Sequence, residues 1–143
     1  MPYPAAMTST VEAGGLARRA LVGDLVAVAV PTAVGFGVHG TLGEAGRLVA
    51  TVVAFAGAWV VVAGGFGLYD DERLVGGSWL RVLGAWVAAA PLGALARSLL
   101  LGRVTVVVAF VLVTIAVTAP VLVAWRLVLA RRVRRFVDQP ASP

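Results

Sequence analysis

The sequence predicts an all-α integral membrane bundle of four transmembrane helices. Three observations carry that prediction. The 143 residues are 60% hydrophobic and only 13% charged, against about 45–50% apolar and about 25% charged in a soluble domain. The apolar residues gather into four continuous runs, 21–38, 48–68, 80–101 and 104–126. The basic residues are all arginine, and most of them lie at the ends of those runs.

The first 20 residues are rich in Pro, Ala, Gly, Ser and Thr and read as a flexible tail without helical periodicity. Arg18 and Arg19 then flank the first run as a positive topogenic pair. A cleaved signal peptide is not expected, because Asp24 interrupts the apolar stretch. The run Leu21–Val38 measures roughly 27 Å as a helix at ~1.5 Å per residue, close to a hydrocarbon core of ~30 Å. Pro31 should kink it. At ~100° per residue, Asp24, Pro31 and Gly35 share one face. Ala29, Ala33 and Gly37 form a small-residue stripe suited to close helix approach.

His39–Gly46 holds three glycines and reads as a turn. Run two, Leu48–Leu68, carries no charge and is the cleanest spanning signal. Ala50, Ala54 and Ala58 give it a small stripe, and Tyr69 suits an interfacial position. Asp70–Ser78 is the most polar internal stretch and predicts an aqueous loop. Its three consecutive acids read as a solvated turn, since an oxygen-ligated metal needs several convergent ligands. Run three carries Arg81 near its start, Pro91 within and Arg97 near its end, with Ala85, Ala89 and Gly93 on a small-residue side. Gly102–Arg103 predicts a tight turn and an antiparallel hairpin with run four. Thr105, Thr114 and Thr118 can hydrogen-bond their own helix backbone. Valine favours strands in water, but uninterrupted apolar runs of this length exceed strands of about 3–10 residues, and barrel strands alternate in polarity.

Residues 131–143 form a basic, largely disordered tail in which Arg131, Arg132, Arg134 and Arg135 can meet anionic lipid headgroups. With four spans the termini share one side. That side carries nine arginines and the other three, Arg47, Arg97 and Arg103. The positive-inside rule therefore predicts a multi-pass protein of the cell membrane with both termini cytoplasmic.

Few residues carry chemistry. Asp24 falls about one turn inside the apolar run, where a carboxylate needs a partner. Arg81 and Arg126 are expected at its depth, so Asp24 should pair with one of them and lock the bundle. His39 and Arg97 are expected together at the outer face as a polar site for an anion or a proton-coupled solute. A single histidine offers one axial ligand per chain, and no cysteine is present, so neither cofactor nor metal is expected. The arginines are not interleaved with exposed aromatics, which argues against nucleic acid. No nucleophile–base–acid set can be assembled, so the protein is not expected to be an enzyme.

The order Asp24, His39 before a glycine, Trp59, Trp79, Arg97 and Trp125-Arg126 resembles a family of small prokaryotic four-helix membrane proteins of unknown function, DUF3054, over roughly residues 21–130. The resemblance implies four helices and no activity. It singles out Asp24, His39, Arg97 and Arg126. The residues favour a structural, assembly or regulatory membrane component that works with a membrane protein partner; the alternative is a small homo-oligomeric carrier or channel for a small solute or ion.

Overall fold

The computed structural model describes residues 5–70, 73–74, 78–103 and 105–137, with side chains from 14 to 135. Four helices make up the fold: α1 (Ala5–Val38), α2 (Ala45–Gly65), α3 (Trp79–Leu100) and α4 (Val108–Val137). Each is long and apolar enough to cross a membrane, and no strand occurs among the described residues. Valine's strand preference is overridden because a backbone in lipid must satisfy its own hydrogen bonds within one segment.

The helices stand at the corners of a square. α1 touches α2 and α4, α3 touches α2 and α4, and α2 and α3 pack most extensively. Tight turns fix this order. After α1, Gly40 adopts φ +67 and the Thr41 N–H reaches the Phe36 carbonyl at 2.9 Å. After α3, Gly102 adopts φ +63 and the Arg103 N–H returns to Ser98 O at 2.8 Å. A left-handed glycine just past a helix end satisfies otherwise orphaned carbonyls in this way, and the α3–α4 hairpin follows.

The interior is built from small and aromatic residues, and the outside from valine and leucine. Ala85, Ala89, Ala90, Trp59 and Trp86 are fully buried, whereas Val22, Val26, Val30 and Val34, every fourth residue of α1, are exposed. That inversion suits a lipid solvent, which gives no hydrophobic drive between helices and leaves close packing to hold them together.

Several boundaries differ from the sequence expectation. The N-terminal segment expected as a flexible tail is helical from Ala5; residues 1–4 of that tail lie outside the described residues. The basic C-terminal segment is likewise helical through Val137, because an apolar helix ending at Trp125 continues readily through arginines, which are good helix formers. Residues 138–143 lie outside the described residues. α4 starts at Val108 instead of 104; at the turn Ser98 Oγ donates to Thr105 O at 3.2 Å. The closest approaches also fall elsewhere than the α1 stripe. Ala29 and Ala33 are only half-buried and Gly37 is exposed. The α1–α4 contact uses Gly23, where a Cβ would overlap the Trp125 ring. The α2–α3 contact uses Gly93, where a Cβ would lie 2.5 Å from Phe55 Cδ1.

Candidate functional site

Two arginine sites sit toward opposite ends of the bundle. The first is the Asp24 network. Asp24 is 0% exposed and Arg126 7%. Arg126 Nε donates to Asp24 Oδ1 at 2.8 Å and Nη2 to Oδ2 at 2.5 Å, a bidentate fork that is among the stronger polar contacts. Trp59 Nε1 donates to Oδ2 at 3.2 Å and the Tyr69 hydroxyl to the same oxygen at 3.0 Å. Arg126 Nη1 donates to Leu68 O at 3.0 Å. Four donors thus converge on one carboxylate, which can accept about four, and the pair is neutral as a unit.

Local sequence explains how α2 delivers two of these partners. Its glycine-rich end, GGFGLY, closes with Gly67 at φ +62, and Leu68 N–H reaches back to Ala63 O at 2.9 Å. The reversal directs Leu68 O and Tyr69 toward Arg126, whose guanidinium carbon lies 5.1 Å from the Tyr69 ring centroid. Arg73 Nη1 braces the turn by donating to Phe66 O at 2.7 Å. Leu74 buries against Ala20 and Leu129 and covers this end. Burial, then the Asp24 charge and the hydrogen bond to it, push the Tyr69 hydroxyl well above its ordinary titration range.

Of the two arginines expected near Asp24, Arg126 makes the pair. Arg81 is exposed and forms no ion pair among the described residues. Arg81 lies in the first turn of α3, two residues after its start at Trp79, close enough to the helix end for its side chain to reach water. Trp59 and Tyr69 were not foreseen as partners. Tyr69 fits an interfacial belt equally well by sequence. A buried indole N–H usually finds an acceptor, but that rule does not single out Trp59, since the Trp86 and Trp125 indoles are buried without one among the described residues.

The second site is a cavity of about 320 Å³ at the end carrying the α1–α2 turn. His39 and Arg97, expected together, both line it, as do Arg47, Thr51 and Phe110; no direct bond joins His39 to Arg97. Arg97 Nε donates to Thr51 Oγ1 at 2.9 Å, and Thr51 Oγ1 donates to Arg47 O at 2.7 Å. The Arg97 guanidinium carbon lies 4.8 Å from the Phe110 centroid. Arg47 pairs with Glu44 at the surface, whereas Arg97 has no acidic partner among the described residues. Arg97 and Phe110 also line a second recess of about 260 Å³ that includes Arg103. Pro31 and Gly35, the residues placed on Asp24's face, line the main cavity. Thr32 and Thr114 hydroxyls bond their own helix at Val28 O and Phe110 O, 2.9 and 2.7 Å away.

An aromatic column separates the two sites. Phe110 lies 6.0 Å from Phe55, Phe55 6.1 Å from Trp86, and Trp86 5.9 Å from Trp59, between ring centroids. Trp59 then meets Asp24. Arg97 caps the column at one end and the Asp24–Arg126 pair at the other.

The model of a family described as a protein of unknown function, DUF3054, matches residues 21–129. The chain belongs to this family. The match spans both arginine sites and stops just before the Arg131–Arg135 cluster, so within this DUF3054 member the polar network and the cavity lie in the family region and the basic extension lies outside it. Neither a curated protein nor a solved structure matches the chain. The Arg131, Arg132 and Arg135 side chains are exposed on the extended α4. No group of three potential metal ligands occurs among the described residues.

Proposed function

We propose that this DUF3054 protein is a small, non-catalytic membrane carrier that accepts an anion into the Arg97 cavity from the outer face, with both termini cytoplasmic. The observation that supports this most directly is a half-buried arginine without an acidic partner, facing a cavity within one protomer. A charge held in hydrocarbon is costly unless it serves a ligand or a partner. The cavity is lined by three basic-type side chains, Arg97, Arg47 and His39, against the single nearby acid Glu44. The aromatic column and the Asp24–Arg126 pair close the opposite end, as an inner seal would. A carrier of this kind does not require a second copy to form its binding site.

The test is thermal stabilisation of purified protein by sodium chloride, phosphate, acetate and benzoate, followed by current measurements on supported proteoliposome membranes with any stabilising anion. Stabilisation that Arg97→Gln abolishes, together with a current, supports the carrier. Stabilisation without current, or co-purification of a stoichiometric membrane partner, returns the protein to the component class. Absence of any anion effect removes the binding site altogether.

A further inference from the structure

The chemistry of the cavity wall narrows the anion. We infer that the Arg97 cavity takes an organic monocarboxylate with a compact apolar body, its carboxylate on Arg97 and its body directed toward Phe55. This rests on the anion-carrier reading above and names its substrate class.

The polar end centres on the Arg97 fork. Arg97 Nε is engaged by Thr51, and the guanidinium lies over the Phe110 ring. Its two terminal nitrogens make no hydrogen bond among the described residues. Two parallel N–H groups on one edge match the two oxygens of a carboxylate. Other donors are scarce. The Thr32, Thr41, Thr51 and Thr114 hydroxyls already donate to backbone carbonyls, and Arg47 is drawn toward Glu44, which leaves only His39 and the Thr118 hydroxyl besides Arg97. A phosphate or sulfate, stripped of water, would leave oxygens without donors, which is costly. A carboxylate would not.

The rest of the cavity is mostly apolar, interrupted by threonine hydroxyls. On α2, Arg47, Thr51 and Phe55 descend one turn at a time, so the charged rim gives way to an aromatic floor. On α4 the lining runs from Phe110 to Thr118, roughly 12 Å of depth at ~1.5 Å per residue. Phe55 forms part of that floor and is itself 1% exposed. A volume of about 320 Å³ has room for the whole of benzoate and for the longer body of a medium-chain fatty acid. Acetate would leave most of the cavity unfilled.

Titration calorimetry of the full chain in lipid nanodiscs tests this with four probes: benzoate, acetate, phosphate and the neutral isostere benzamide. The expected result is benzoate binding at least tenfold tighter than either acetate or benzamide, with phosphate weaker still. Arg97→Gln should abolish it. Gly35→Leu provides a variant that need not disturb folding: Gly35 lines the cavity and a Cβ there meets nothing within 4 Å. It should retain thermal stability and lose benzoate binding by filling the space. Phosphate binding tighter than benzoate, or acetate matching benzoate, overturns the monocarboxylate and leaves the anion carrier standing. Equal binding of benzamide and benzoate, or benzoate binding that survives Gly35→Leu, overturns the proposal as well. If none of the anions binds, both readings fall.

Discussion

Asp24 and Arg126 are 102 positions apart in the chain and meet through two hydrogen bonds of 2.8 and 2.5 Å. The contact joins the first helix to the last and closes the square of helices opposite the α2–α3 seam. Because Trp59 and Tyr69 donate to the same carboxylate, it also ties in α2 and the turn that follows it.

Removing one partner strands the other charge in the interior, which typically costs about 3–5 kcal/mol. Asp24→Asn should therefore lower the thermal midpoint in nanodiscs sharply, and Arg126→Met equally so. The double variant Asp24→Asn/Arg126→Met removes both charges while keeping an acceptor for Trp59 and Tyr69. It should recover at least half of the loss. Wild-type stability in Asp24→Asn alone would mean that the pair does not lock the bundle.

Tyr69 gives the same network a pH signature. Its hydroxyl is held above the ordinary tyrosine value of 10.0 first by burial and then by the Asp24 charge. A folded value raised above the unfolded one contributes stability that is fully present below about pH 10 and is lost as the pH climbs past it. The chain has two tyrosines, so Tyr3→Phe isolates Tyr69. Absorbance at alkaline pH should then show no ionisation step near pH 10 until the protein unfolds. A step at the ordinary position would contradict the hydrogen bond to Asp24.

The architecture was readable because lipid imposes a simple code of uninterrupted apolar length, whereas side-chain partnerships depend on rotation about each helix axis. Asp24 announced the need for a partner, and run ends placed Arg81 and Arg126 at similar depth. Depth alone could not choose between them, since the choice depends on which face of α3 and α4 turns inward. The shared face of Asp24, Pro31 and Gly35 was legible from 100° spacing, and it does face the interior. The cavity was half legible, as His39 and Arg97, while Thr51, Phe55 and Phe110 looked like ordinary span residues. Helix ends were least legible, because arginine-rich segments outside a bilayer can be helical or irregular at little difference in free energy.

Glycine substitutions should separate contact positions from open ones. A methyl at Gly23 would enter the Trp125 ring, and one at Gly93 would press on Phe55. Overpacking of this kind costs about 1–3 kcal/mol, so Gly23→Ala and Gly93→Ala should each lower the thermal midpoint. Gly57 sits exposed inside α2 with nothing near a Cβ. Gly57→Ala should stabilise by up to about 1 kcal/mol through helix propensity. A reversed order among the three would show that the helices do not pack at these glycines.

Orientation has its own test, since the native chain contains no cysteine and single introduced thiols report position cleanly. Gly43 lies in the α1–α2 turn, exposed and with open space about it. Ser78 lies just before α3 at the opposite end. The arginine imbalance of nine against three predicts that the Ser78 end faces the cytoplasm, because arginine-rich flanks resist translocation. In intact cells a membrane-impermeant maleimide should label Gly43→Cys and spare Ser78→Cys until the membrane is opened. That pattern would place the mouth of the Arg97 cavity on the outer face. The reverse pattern would make the same cavity open to the cytoplasm, so that its carboxylate would be taken from inside the cell.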